Sequence, residues 1–420
     1  MQSADTTTAG HSTKALVLST VAFTLCFAVW TIFSIIGVPL KTKLGLSEVQ
    51  LGLLVGMPVL TGSLVRVVLG IWTDRLGGRV VYTLTMLAAA AATFLLCFAQ
   101  TYEQFLVAAL GVGLAGGSFA VGVAYVSRFY PAGRQGTALG IFGTGNVGSA
   151  VTKFFAPFVL LAWGWQSVAL IWAAVLAVMA VIFWFSTEDS PGTERAEPTY
   201  RRKSFLAEFE PLRHVQVWRF ALYYFFSFGA FVAMTLWLPR YLMGVYGFDI
   251  ATAGMVAVCY SIPGSIFRAY GGTLSDKIGA RTVLYWSFGI ATITTFILAI
   301  PAGDYVVQSS NGPVDLHFSI GPWAFIGLVF LLGFAMAIGK AAVYKHIPTY
   351  YPKSVGAVGG VVGMIGGLGG FVLPLLFGYL NQVTGVWSSC FMALFVLVVG
   401  AFAWMHLSVR SMTLRQVARA

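Results

Sequence analysis

Apolar windows of about twenty residues recur along nearly the whole chain, separated by short polar, glycine- or proline-containing breaks. Such a run, at about 1.5 Å per residue, matches the roughly 30 Å hydrocarbon core of a bilayer. The runs are continuous rather than alternating, which selects helices over barrel strands. In lipid each backbone polar group has to be satisfied within its own segment, and helices do so. Twelve spans are predicted, at approximately 15–38, 49–73, 80–99, 103–128, 135–160, 165–186, 216–240, 250–275, 281–301, 321–348, 354–380 and 384–408. The polar stretch from Thr187 to Val215 divides them into six and six. It contains Pro191, Pro198 and the run Arg201, Arg202, Lys203, with a surface helix expected near Phe205 to Phe209. The expected organisation is an N-terminal six-helix bundle over 1–190, a cytoplasmic linker over 191–214 and a C-terminal six-helix bundle over 215–420.

Composition strengthens this reading. Hydrophobic residues make up 58% of the chain and charged ones 9%, against about 25% charged in soluble domains. A water-soluble fold is excluded, and an all-α membrane protein is the expected class. The 48 glycines suit close helix contacts. Cys26, Cys97, Cys259 and Cys390 all fall in apolar runs without metal-ligand spacing and read as small buried hydrophobes. The first fourteen residues are polar and show no basic leader, so a retained first helix is expected. With the amino terminus in the cytoplasm, seventeen of the 25 Lys and Arg residues fall inside and only Lys41, Lys43 and Arg240 outside. Both termini are therefore expected to be cytoplasmic; the membrane expected is the inner membrane of a bacterium. The net charge of +11 needs no nucleic-acid partner; the lipid bilayer is the partner it implies.

An internal repeat places the chemistry. Arg66-x-x-x-Gly70-x-x-x-Asp74-Arg75-x-Gly77-Gly78-Arg79 recurs as Arg268-x-x-x-Gly272-x-x-x-Asp276-Lys277-x-Gly279-Ala280-Arg281, every matched position offset by 202 residues. The Gly-x-x-x-Asp-Arg/Lys-x-Gly-x-Arg part resembles the loop motif of the major facilitator superfamily, and with twelve spans the resemblance covers the whole chain. It implies that Asp74, Arg75, Arg79, Asp276, Lys277 and Arg281 are gating residues. Physically, such acids can pair with nearby bases and helix ends in one state of the gate.

Arg66 and Arg268 stand eight residues upstream of the acids, about 12 Å inside the helix end and near the bilayer centre. A charge there costs at least about 2.5–3.5 kcal/mol and normally faces a cavity or a partner. An acid partner is the plain alternative, yet all fourteen acids fall in predicted loops or, for Glu103, at the outer end of a span, whereas Arg66, Lys153, Arg268, Lys340 and Lys345 fall inside spans. An anion is then the expected counter-charge. A guanidinium fork suits a small planar oxyanion because it donates two parallel hydrogen bonds.

Glycine is concentrated in the fifth span, as Gly143-x-Gly145-Asn146-x-Gly148 before Pro157. The eleventh carries Gly363-x-x-Gly366-Gly367-x-Gly369-Gly370 before Pro374. With the two arginines, these stretches resemble the nitrate/nitrite porter family. The resemblance implies transport of nitrate and nitrite without a cofactor, and substrate contacts from Arg66, Arg268, Asn146, Gly143, Gly145 and Gly367. It adds Phe119, Tyr224 and Phe228 as ring or hydroxyl contacts, although at 15% aromatic residues most rings simply pack. Lys340 and Lys345 have no basic counterpart in the fourth span. Lys345 is near enough to the helix end to snorkel, and Lys153 reads as a vestibule or snorkelling lysine near the outer end of its span. All three are candidates for coupling to protons or anions. The expected mechanism is alternating access by a monomer in which the halves rock about a midplane site. The tenth-span lysines incline the reading to nitrate/proton symport. Nitrate/nitrite antiport, transport of another small anion and a membrane sensor are the alternatives. An enzyme is not expected, with no acids in the spans and no metal-spaced His or Cys.

Overall fold

The computed structural model describes residues 2–131, 133–189, 210, 212–310, 312–351 and 355–417. Most of the expected linker, with its basic run and surface helix, lies outside the described residues. Among the described residues, eleven helical stretches are long and apolar enough to cross a membrane. The longest, Gln135–Ser186, has Gly164 at φ +82 inside it. Glycine adopts that backbone without strain, and the stretch turns there into two helices, giving the twelve expected.

We number them α1 (His11–Leu44), α2 (Val49–Leu76), α3 (Gly78–Phe98), α4 (Tyr102–Ser127), α5 (135–163), α6 (165–186), α7 (Val215–Tyr246), α8 (Ile250–Ile278), α9 (Ala280–Ala299), α10 (Pro322–Tyr350), α11 (Ala357–Thr384) and α12 (Ser389–Leu414). The protein is an all-helical integral membrane protein within its spans. Between α9 and α10 stands an antiparallel hairpin, β1 (Gly303–Ser309) and β2 (Gly312–Phe318), with Tyr305 opposite Leu316 and Val307 opposite Val314. The sequence reading missed it because it weighed windows of spanning length, and a seven-residue, largely exposed strand is invisible to those.

The 202-residue repeat is a structural one. Gly45 and Gly247 both cap a helix in the left-handed region, at φ +62 and +68. Ser47 and Asp249 both open the next helix with side-chain caps. Gly77 and Gly279 close those helices at φ +93 and +89. The end of the bundle carrying Gly77 and Gly279 is called here the motif end; the opposite end carries the hairpin.

Halves meet along α2 with α11 and α5 with α8. At the motif end, a side chain on Gly272 would strike the backbone of Gly136, and one on Gly360 would touch Val67. Toward the hairpin end, one on Gly254 would lie 3.1 Å from the Lys153 carbonyl, and one on Gly56 would overlap the Phe371 ring. The contact therefore closes above and below the centre.

Candidate functional site

The two repeat arginines lie between these closures and are the largest charged side chains in the interior, Arg66 0% and Arg268 1% exposed. Arg66 on α2 donates from Nε to the Gly116 carbonyl at 3.2 Å and from Nη1 to the Gly363 carbonyl at 2.7 Å, so α4 and α11 fix its plane. Among the described residues its Nη2 has no partner, and neither do Nε and Nη1 of Arg268 on α8. Neither guanidinium makes an ion pair with an acid among the described residues. Room for them comes from absent side chains: a Cβ on Gly143 would overlap the Arg268 guanidinium, and one on Gly367 would strike Ser63 and come within 3.1 Å of Arg66 Nη1.

Asn146 on α5 is completely buried, with both its amide nitrogen and its amide oxygen unpartnered. The Tyr224 hydroxyl on α7 lies beside Arg268 and is likewise buried, with no hydrogen-bond partner of good geometry among the described residues. The site residues thus hold six unpartnered polar atoms, of which five are donors. An unmade hydrogen bond to a buried group costs about 1–3 kcal/mol, and more for a charged one. The chemistry that satisfies such a set is an anion with several acceptor oxygens.

Aromatic rings bound it. The Arg66 guanidinium lies 4.9 Å from the Phe228 ring and 5.5 Å from those of Phe119 and Trp30. Arg268 lies 4.9 Å from Phe119 and 5.8 Å from Tyr344. Phe119, from the first half, faces Phe228 from the second across 6.1 Å between centroids and 14° between planes. It faces Tyr224 at 6.4 Å and 17°. A planar ion touching a ring on each face needs about 7 Å at ordinary carbon contact distances, so the rings would have to part by about 1 Å.

Irregular backbone gathers at this level. A 3-10 turn, Gly113–Gly117, precedes Phe119; another, Thr144–Val147, carries Asn146; and a π turn, Phe225–Ala230, carries Phe228. Such turns mark hinges and functional sites in helices. None was legible in the sequence, because a one-residue change in helical register leaves no compositional mark.

The structure brings together Arg66, Arg268, Asn146, Phe119, Tyr224, Phe228, Gly143 and Gly367. Gly145 is turned to α1, where the Phe23 ring and the Thr20 carbonyl occupy the space its side chain would need. Sequence reasoning missed Tyr344 and Trp30. Tyr344 meets Phe119 and Tyr224 edge-on at 5.1 and 4.8 Å, and Trp30 donates to the Pro58 carbonyl at 2.6 Å. The spacing of Tyr344, four residues beyond Lys340 on one helix face, was the available signal.

Two lysine expectations are corrected. Lys345 has an acid partner, Asp276, at 2.5 Å. The sequence tally assigned Asp276 to a loop and Lys345 to a span, but both are near the motif end of adjacent helices and their side chains span the difference. Lys153 is neither in a vestibule nor snorkelling: it is fully buried, and its amine donates to Ser261 Oγ at 2.8 Å. The amine follows the Cα–Cβ direction toward the start of α5, which is toward the protein centre. Lys340 is also fully buried, donating to the Gly264 carbonyl at 2.6 Å with its amine 3.3 Å from the Phe231 ring centre.

At the motif end, Asp74 pairs with Arg128 at 2.7 Å. Arg79 donates twice to the Trp184 carbonyl, at 3.0 and 2.7 Å. Asp276, besides Lys345, accepts from the amide and hydroxyl of Thr137 at 2.9 and 3.0 Å, at the start of α5 in the other half. Arg75 is half-buried; Lys277 and Arg281 are exposed.

Comparison with known proteins agrees with this architecture. The family model described as Major Facilitator Superfamily matches residues 18–313. A probable nitrate/nitrite antiporter, NarK1, of Thermus thermophilus is 44% identical over 94% of this chain and 91% of its own length. A nitrite extrusion protein of Bacillus subtilis is 29% identical, covering 95% of each chain. Among solved structures, the human organic anion transporter MFSD10 superposes with a TM-score of 0.73 at 15% identity, over 94% of this chain and 99% of that one. A bacterial homologue of the lysosomal transporter Spinster, inward-facing and occupied, gives 0.66 at 18% identity, over 95% and 97%.

Proposed function

The chain belongs to the nitrate/nitrite porter family of the major facilitator superfamily, a family of transporters and not of enzymes, and from that premise we propose that it exchanges nitrate for nitrite across the bacterial inner membrane. The observation that carries this reading is the set of five buried, unpartnered donors on Arg66, Arg268, Asn146 and Tyr224. A trigonal oxyanion lying between the two forks satisfies them with its own oxygens, and once the rings part by about 1 Å its flat faces fit between Phe119 and the paired rings of Tyr224 and Phe228.

Residues 1–190 rock against 215–420 about that ion, with the motif end in the cytoplasm. Exchange follows from charge. An empty site leaves two guanidinium groups facing each other in low dielectric, and closing around them is opposed by repulsion. An anion removes the opposition in either direction of movement. Proton symport would need a titrating carrier near the site. The tenth-span lysines were its support; Lys345 is neutralised by Asp276 at the motif end, and the Lys340 amine is held by the Gly264 carbonyl.

The test is counterflow in proteoliposomes. Labelled nitrate should enter vesicles loaded with nitrite and fail to enter vesicles loaded with an impermeant buffer, with or without an imposed proton gradient. Uptake driven by the gradient into anion-free vesicles would overturn exchange. Inhibition by phosphate or acetate as strong as that by nitrite would overturn the substrate.

A further inference from the structure

A second arrangement of buried charge lies away from the arginines. Lys153 is seven residues beyond Asn146 on α5, and Ser261 seven beyond Arg268 on α8, both toward the hairpin end. Each step is about 10 Å at helical rise. The two helices run antiparallel and in contact, with Gly140 against the Arg268 and Ala269 backbone and Gly254 against the Lys153 carbonyl. The backbone of Lys153 is therefore level with Gly254, while its amine reaches Ser261 Oγ, two helical turns nearer the arginines. A lysine at such depth ordinarily extends to the nearer water. This one extends away from it.

Nothing acidic rewards that direction, since Lys153 makes no ion pair among the described residues. Its bond to Ser261 joins the two halves. One turn farther along α8, the Gly264 carbonyl holds the amine of Lys340, and Arg268 follows four residues later. An ammonium group has three donors, and each of these two has a single oxygen partner among the described residues. The amines of Lys153 and Lys340, held at Ser261 and Gly264, and the Arg268 guanidinium thus mark a descending series of positive charges beside α8, ending at the site.

We propose that Lys153 and Ser261 form the outer gate of the anion path and that the Lys153 amine is its first binding point for an incoming anion. The inference rests on the anion-transport reading above. With the outer side closed, Ser261 holds the amine. As the halves part on that side the bond must break, because its two ends belong to different halves. A buried amine losing its partner is costly unless a counter-charge arrives. An anion from outside supplies one, so it favours opening, and it then passes Lys340 to Arg268 as Ser261 recovers the amine. On the cytoplasmic side the Asp276 carboxylate and Thr137 close the same pair of helices, so α5 and α8 carry a latch of opposite charge at either side of the site.

Sided transport kinetics test this. In Lys153→Met the apparent KM for nitrate added outside should rise about tenfold or more, the scale on which a fixed charge focuses an approaching ion, while the KM for nitrite presented from inside stays within about twofold. Lys153→Arg should restore the outside KM. Ser261→Ala keeps the charge and removes the latch; its outside KM should not rise, and with Lys153 retained and the four free cysteines removed, a reporter Ser265→Cys, buried one turn from Ser261, should react faster with an impermeant thiol reagent from outside in the Ser261→Ala background than with Ser261 present. Equal KM changes on both sides in Lys153→Met, or none on either, would overturn the gate, as would unchanged reactivity in the Ser261→Ala background. Nitrate binding to each purified variant shows that it is folded. Absence of nitrate binding by the unaltered protein would instead overturn the substrate reading, leaving the two failures distinct.

Discussion

Asn146 shows most clearly how the site differs from a structural core. Its amide has two unpartnered ends in a fully buried position, and an unmade hydrogen bond to a buried group costs about 1–3 kcal/mol. Replacing it by leucine, which has the same heavy-atom branching, removes that cost from the empty protein while removing a ligand from the filled one. Asn146→Leu is therefore expected to raise the thermal midpoint without substrate and to weaken nitrate binding at least about tenfold, given about 1.4 kcal/mol per decade. A lower midpoint together with unchanged binding would show a structural asparagine. Arg66→Lys and Arg268→Lys should each abolish transport with folded protein retained in the membrane, since an ammonium cannot reproduce the fork; uptake measured beside a detergent-stability assay checks both. Arginines in a span were legible because charge in lipid is rare and demands a reason. The aromatic neighbours Tyr344 and Trp30 were not, because a chain with 15% aromatic residues gives a ring no distinction until its neighbours are known. The partner of Lys345 was hidden for a related reason: a tally by segment ignores the reach of two side chains, and Asp276 closes that gap at 2.5 Å.

Among the elements, the repeated turn between the second and third helices of each half carries the clearest stability prediction. Gly77 sits at φ +93, ψ 146 and Gly279 at φ +89, ψ 134, a backbone region that other residues enter at about 1–3 kcal/mol. Gly77→Ala and Gly279→Ala should therefore lower the thermal midpoint by similar amounts, whereas Gly289→Ala, a glycine within α9 with open space around it, should not lower it. Thermal shift of the three purified variants decides the matter, and a silent Gly279→Ala would mean the turn can relax. The repeat was readable because identity and spacing recur. The deviations that give the repeat its function were not. The π turn at Phe225–Ala230 and the 3-10 turn at Thr144–Val147 have no counterpart in composition, and they depend on which helix each residue meets. Twelve spans were read nearly to their ends from hydropathy, and the seven-residue strands of the hairpin were lost to the same twenty-residue view.

For the whole molecule, the decisive feature is closure on both sides of the arginines at once. Alternating access requires each closure to open in turn while the other holds, and α2 with α11 supplies a place to test that. A Cβ on Gly360 would lie 3.4 Å from Val67 Cα at the motif side, and one on Gly52 would lie 3.5 Å from the Leu375 side chain at the hairpin side. In a background without the four free cysteines, the pair Val67→Cys with Gly360→Cys should cross-link on oxidation and stop exchange, leaving the site open only to external nitrate. The pair Gly52→Cys with Leu375→Cys should do the reverse. Sided binding of labelled nitrate to vesicles, before and after reduction, reads each arrest and its reversal. A cross-linked protein that still exchanges would rule out rocking of the halves and require a path that opens within one of them. The expected asymmetry between the two pairs also bears on the gate at Lys153. With the motif side locked, outward opening is the only movement left, and the Lys153 amine should then be free of Ser261 for a larger share of the time. External nitrate binding in that locked state should therefore lose its dependence on Ser261 and keep its dependence on Lys153.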